Sequence, residues 1–132
     1  MAWLLDTNAV VAVLRDPAAP IGARIRAQVP AEVAIGSIVL HELYFGAFRS
    51  ARVAHNLALV EALRFIVLEF DAADARAAGE VRAVLGKVGL PIGPYDALIA
   101  GQALARGLVL VTRNTREFSR VPGLRLEDWE AG

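Results

Sequence analysis

Cysteine is absent from the 132 residues, which excludes disulfide staples, thiolate zinc sites and cysteine nucleophiles together. Histidine is scarce, and His41 and His55 are the only imidazoles available as ligands. No stretch free of Asp, Glu, Lys and Arg exceeds nine residues, reached at 33–41 and 97–105. Crossing a bilayer takes about 20 apolar residues, so no integral membrane segment is expected. The opening Met-Ala-Trp-Leu-Leu-Asp lacks the basic stretch of a secretory signal, and a cytoplasmic location is expected. Net charge is also lacking, because 14 basic and 14 acidic residues cancel. Nothing in the total charge points to a polyanionic partner, and any such site has to be built locally. Repeats, low-complexity tracts and like-charge runs are missing as well, so nothing marks a linker.

What remains is apolar. Hydrophobic residues make up 56% of the chain and the mean hydropathy is +0.47, which excludes a disordered polymer. A domain typically needs about 100 to 200 residues, so residues 1–132 are read as a single domain. Short apolar runs suited to buried strands occur at Trp3–Leu5, Val33–Ile35, Phe65–Leu68, Leu108–Val111 and, weakly, Leu124–Leu126. Helix-length segments separate them: Asn8–Arg15, Ile21–Val29, one or two helices within Ser37–Arg64, an alanine-rich helix from Asp71 to Lys87 begun by Asp71 or Asp74, and a helix from Pro94 to about Arg106. Short runs alternating with helices predict an α/β fold, a three-layer α/β/α sandwich around a mainly parallel sheet of four to five strands.

In such sheets ligands gather beyond the carboxyl ends of the strands. Asp6 directly follows the first run, Ser37 the second after one glycine, Asp71 the third after Phe70, and Asn114 closely follows the fourth. Each has an ordinary structural reading beside a functional one. Asp6 suits a helix cap. Asp96 suits the first turn of a helix, where the macrodipole favours an acid. Asn114 with Glu117 three residues on fits a capping box. Glu42 differs, because its helix neighbours at three and four residues are Ile38, Val39, Phe45 and Gly46, a stripe expected to face inward. If Asp6, Glu42 and Asp96 converge, two such charges about 4 Å apart repel by roughly 4 kcal/mol at an effective dielectric of 20. Protonation or a cation relieves that strain. Carboxylate and amide oxygens without thiolates suit Mg²⁺ or Mn²⁺, ions that activate water against a phosphodiester.

Four segments carry a resemblance: Leu5-Asp6-Thr7-Asn8, Glu42-Leu43-Tyr44-Phe45-Gly46, Asp96-Ala97-Leu98-Ile99-Ala100 and Val111-Thr112-Arg113-Asn114-Thr115-Arg116-Glu117-Phe118. In this order, spread over essentially the whole chain, they resemble the PIN-domain ribonucleases, in particular the VapC-type toxins of prokaryotic toxin-antitoxin modules. The resemblance implies a metal-dependent endoribonuclease that cleaves single-stranded or loop RNA, with Asp6, Glu42 and Asp96 as catalytic metal-binding acids and Mg²⁺ or Mn²⁺ as cofactor. Asn114 falls at the fourth catalytic position, often Asp in relatives; it keeps an oxygen and removes a charge, and Glu117 compensates if it turns inward. Thr7 and Thr112 are candidates to support the ligands.

Thirteen of the 14 basic residues are Arg, the better phosphate fork, and Arg113, Arg116 and Arg120 cluster as candidate phosphate contacts. Val39, Leu43, Tyr44, Phe48, Leu57 and 59–63 supply apolar area beyond what a small helical hairpin needs, which either core packing or a partner can use. The resemblance implies that such area meets a VapB-like antitoxin and serves a homodimer. Two rivals are set against this reading. A Mg²⁺-dependent phosphotransfer domain also places an Asp after its first strand, but one kind wants a second Asp where this chain has Asn8, and the other a lysine after a late strand, whereas Lys87 is the only lysine. A non-catalytic PIN-like dimerisation or antitoxin-binding module is the other.

Overall fold

The computed structural model describes residues 2–131. Five parallel strands form the central sheet: β1 (Trp3–Leu5), β2 (Val33–Gly36), β3 (Ile66–Leu68), β4 (Val109–Val111) and β5 (Leu126–Glu127), in the spatial order β3-β2-β1-β4-β5. Each is short and apolar because a parallel strand covered by helices on both faces has no solvent side to alternate towards. Leu4, Leu5, Ala34, Ile35, Leu110 and Val111 are essentially inaccessible and form the middle of the core.

Among the described residues seven α-helices cover the sheet: α1 (Thr7–Arg15), α2 (Pro20–Arg26), α3 (Ser37–Arg49), α4 (Val53–Glu61), α5 (Ala72–Lys87), α6 (Pro94–Arg106) and α7 (Thr115–Phe118). The expected three-layer α/β sandwich is what forms, with all strand pairs parallel. The segment 37–64 resolves into two helices, α3 and α4, broken at Ser50–Arg52.

The last strand lies at Leu126–Glu127 rather than the expected Leu124–Leu126, and the starts of α1, α2 and α5 shift by one residue. The second helix stops at Arg26 rather than Val29, because Pro30 disfavours a helical residue before it and Val29 is extended (φ −65°, ψ 128°). Pro30–Glu32 then forms a 3-10 turn into β2.

The long helices are fixed at their ends by their own residues. Asp71 caps α5 and exchanges bonds with Asp74, so both acids named as possible starters take part in one capping box. Pro94 opens α6 at a position where a missing N–H costs nothing. Gly107 ends it at φ +65°, a conformation open to glycine at little cost. Helix α5 lies hard against α6 at Gly101, where a Cβ would stand 2.5 Å from the Ala78 backbone.

Behind that contact, buried Asp74 accepts from Gln102 Nε2 (3.0 Å) and from Arg106 Nε (3.3 Å) and Nη2 (3.1 Å). Burial alone would raise its carboxyl, but the bonds from Arg106, the Asp71 amide and Gln102 hold it below the ordinary range. Asp71 is thereby a structural acid, and Ser37 accepts from the Phe70 amide at 3.2 Å. These two polar residues at the strand ends brace the fold.

Candidate active site

The sheet order turns about β1: β2 and β3 lie on one side, and β4 and β5 on the other. The crevice beyond the carboxyl ends of β1 and β4 is therefore the switch point at which open α/β sheets bind ligands. Asp6 stands there at the end of β1, its amide bonded to the Val111 carbonyl at 3.1 Å. Its side chain accepts from the Ala9 amide at 2.8 Å, so the cap reading holds. Capping and site placement coexist, because the carboxylate has a second oxygen. Thr112, buried just past β4, hydrogen-bonds the same carboxylate.

Glu42 reaches the crevice from α3, and Thr7 Oγ1 donates to its Oε1 at 2.6 Å. The stripe around it is less inward than its spacing suggests. Val39 and Leu43 are buried, but Phe45 is 58% and Phe48 63% exposed, although α3 packs against α1, α4, α6 and the sheet. Asp96 comes from the first turn of α6 and is half-buried.

Asn114 begins α7 without a side-chain cap bond, so the capping box does not form there. Its Nδ2 donates to Glu117 Oε2 at 3.0 Å and its amide to Thr112 Oγ1 at 2.9 Å, which binds the candidate fourth position to Glu117.

These groups feel one another. Burial raises the Asp6 carboxyl; the bonds from Thr112 and Ala9 pull it back, and the charges of Glu130 and Glu42 push it up again. Asp96 is pushed up to about 6, first by burial and then by Glu42, Asp6 and Glu117. Asp6, Glu42, Asp96 and Glu117 thus share one field, with Glu130 as a further acid. As the side chains stand, no three acidic or histidine groups among the described residues close into a ligand cage. One Asp6 oxygen is turned to Ala9 and one Glu42 oxygen to Thr7.

Glu130 is the residue that sequence reasoning missed. Its Oε2 is buried with no hydrogen-bond partner, and Oε1 stands 4.0 Å from Arg113 Nη1. It is held by its neighbour Trp129, 1% exposed, which packs edge-on against Trp3 at 5.4 Å. The only signal in the sequence was a tryptophan within a polar stretch after the last strand.

The arginines divide. Arg113 and Arg116 are exposed beside the crevice, whereas Arg120 turns to the Pro91 carbonyl at 3.2 Å and braces the loop before α6. A groove of about 440 Å³ between α1, α3 and α4 opens at the Thr7–Glu42 bond and continues past Val11, Leu43, Leu59 and Val60.

The PIN domain family model matches residues 3–124. The chain belongs to the PIN-domain family. It is 43% identical, over 98% of both chains, to the tRNA(fMet)-specific endonuclease VapC of Shigella flexneri. It is 37% identical, over the same shares, to Ribonuclease VapC2 of Haemophilus influenzae strain KW20. Among solved structures, this PIN domain superposes on DNA-bound VapBC from Salmonella typhimurium with a TM-score of 0.94 at 43% identity, covering 98% of each chain. VapBC-5 from Mycobacterium tuberculosis, of the VapBC family of toxin-antitoxin systems, gives 0.71 at 26% identity over 96% of each.

Proposed function

We propose that this PIN domain is a metal-dependent endoribonuclease, the toxin of a VapBC-type pair, acting in the cytoplasm on a transfer RNA of the initiator class. The nuclease and toxin assignments rest on relatives named as VapC endonucleases and ribonucleases and on structural neighbours that are VapBC assemblies. The observation that carries the metal reading is the shared field on Asp6 and Asp96, together with the unpartnered Glu130 oxygen. That donor set is all oxygen and suits Mg²⁺ or Mn²⁺.

Asp6, Glu42 and Asp96 would hold the ion, with Asn114 or Glu117 completing the set. When bound, such an ion lowers the pKa of a water and offsets charge on the phosphodiester. The chain's own residues do the rest. Thr112 orients the Asp6 carboxylate and Thr7 that of Glu42. Asn114 fixes Glu117, and Arg113 and Arg116 offer forked donors to phosphate oxygens. Buried walls from β1 and β4 raise the effect of every charge in the crevice.

The groove between α1, α3 and α4 suits an apolar segment of a VapB-like antitoxin, whose Arg or Lys would neutralise the acids at its Glu42 end. A second copy of the chain would take part of the remaining apolar surface. No helix among the described residues is long and apolar enough to cross a membrane.

The test is cleavage of total transfer RNA by the purified chain. EDTA should stop it, Mg²⁺ or Mn²⁺ should restore it, and Asp6→Asn should abolish it. EDTA-resistant cleavage, or a cleaving Asp6→Asn protein, would overturn the mechanism.

A further inference from the structure

Two of the metal-site acids are each preceded in sequence by an aromatic ring: His41 before Glu42 on α3, and Tyr95 before Asp96 on α6. The helices bring these rings together, with centroids 5.6 Å apart and planes tilted by 43°. Both are exposed, Tyr95 by 47%. A helical residue lies about 100° round from its neighbour, so the ring pair flanks the acids.

Water-exposed aromatic rings beside an acidic crevice have a use in a nuclease. The acids repel a polyanion, and with 14 charges of each sign the protein offers little long-range attraction to offset this. Base stacking does not depend on charge, and single-stranded RNA carries unstacked bases that aromatic side chains accept. A phosphate presented to Glu42 and Asp96 leaves a neighbouring base free to reach the ring pair.

We propose that the exposed Tyr95 ring, braced by His41, stacks a nucleobase next to the phosphodiester presented to Glu42 and Asp96. The role is positioning, and it rests on the ribonuclease reading above. It does not involve the tyrosine hydroxyl, because the ring face is what the base meets.

The experiment measures binding of a fluorescent single-stranded RNA by anisotropy in EDTA, and KM and kcat for its cleavage in Mg²⁺. The same oligonucleotide is also made with an abasic ribose at each position in turn. Tyr95→Ala should weaken binding about 5- to 150-fold, the range of one lost base stack, and raise KM more than it lowers kcat. Tyr95→Phe should match the wild type, and His41→Ala should show a smaller loss in the same direction. At one position the abasic RNA should bind wild type as weakly as intact RNA binds Tyr95→Ala, with no further loss when both changes are combined. A merely structural role for Tyr95 would make the two losses add. Additive losses, an equal defect in Tyr95→Phe, or no binding by the wild-type protein would each overturn the proposal. A wild-type protein that binds in this pattern yet never cleaves would instead overturn the ribonuclease reading and leave the stack standing.

Discussion

Changing Asp96 to asparagine keeps the shape of the side chain and removes one charge from the acidic crevice, so it isolates the electrostatic cost of that site. The carboxyl is raised from 3.8 to about 6 by burial and by Glu42, Asp6 and Glu117. A shift of that size corresponds to at most about 3 kcal/mol. Asp96 is only half-buried, so solvent screening cuts this to about 1.5 kcal/mol. Losing an acid from the first turn of α6 gives back about 0.5 kcal/mol of macrodipole stabilisation. Asp96→Asn is therefore expected to be about 1 kcal/mol more stable than the wild type at neutral pH, or roughly 4 °C in Tm.

The pH dependence has a definite sign. Below about pH 4 the group is neutral in both folded and unfolded chains, and the variants should be equally stable. Between about 4 and 6 the folded protein keeps a proton that the unfolded chain has lost, so wild-type stability falls as pH rises. Above about 6 the cost is complete and the full difference should appear. Urea unfolding of both proteins across this window, in EDTA, is the assay. A difference that stays constant with pH, or an asparagine variant less stable at neutral pH, would refute the convergence of the acids. Cleavage by the same variant should be lost, which separates a metal ligand from a simple cap.

The acid network between α5 and α6 should behave in the opposite way. Asp74→Asn leaves Arg106 without its buried partner and should cost about 2 kcal/mol. Because the Asp74 carboxyl lies below its ordinary range, its contribution is present above about pH 4 and lost as pH falls through the lowered value. Acid unfolding should therefore be less steep in the variant, and a curve parallel to the wild type would contradict this. Thr112→Val deletes the hydroxyl that restrains Asp6 and should move the acid limb of the cleavage pH profile to higher pH; an unmoved limb would remove Thr112 from the site.

Much of this was legible in the chain because the physics was local. Parallel strands buried on both faces must be short apolar runs, so all five fell near their expected positions. Asp71 and Pro94 act on backbone within a residue or two of themselves, and such effects carry no long-range term. Where the expectation slipped, other than at element ends, the tertiary surroundings of the residue decided. Phe45 sits on a stripe whose spacing says core, yet the fold leaves it 58% exposed. Arg120 lies among candidate phosphate contacts, and only the folded chain shows that it also reaches the Pro91 carbonyl. Glu130 has no motif around it, and long-range packing such as that of Trp129 on Trp3 carries it to the crevice.

The order of residues by itself determined the class of fold, most of the helix ends and the identity of the oxygen-bearing side chains, since these follow from periodicity, capping and composition. Which acids share a field was decided by the tertiary fold, which sets β4 beside β1 and brings Asp6, Glu42, Asp96, Glu117 and Glu130 together. The physical reason is range: a cap or a proline acts over about one helical turn, whereas a raised carboxyl at Asp96 needs burial and three other acids that only the folded chain assembles.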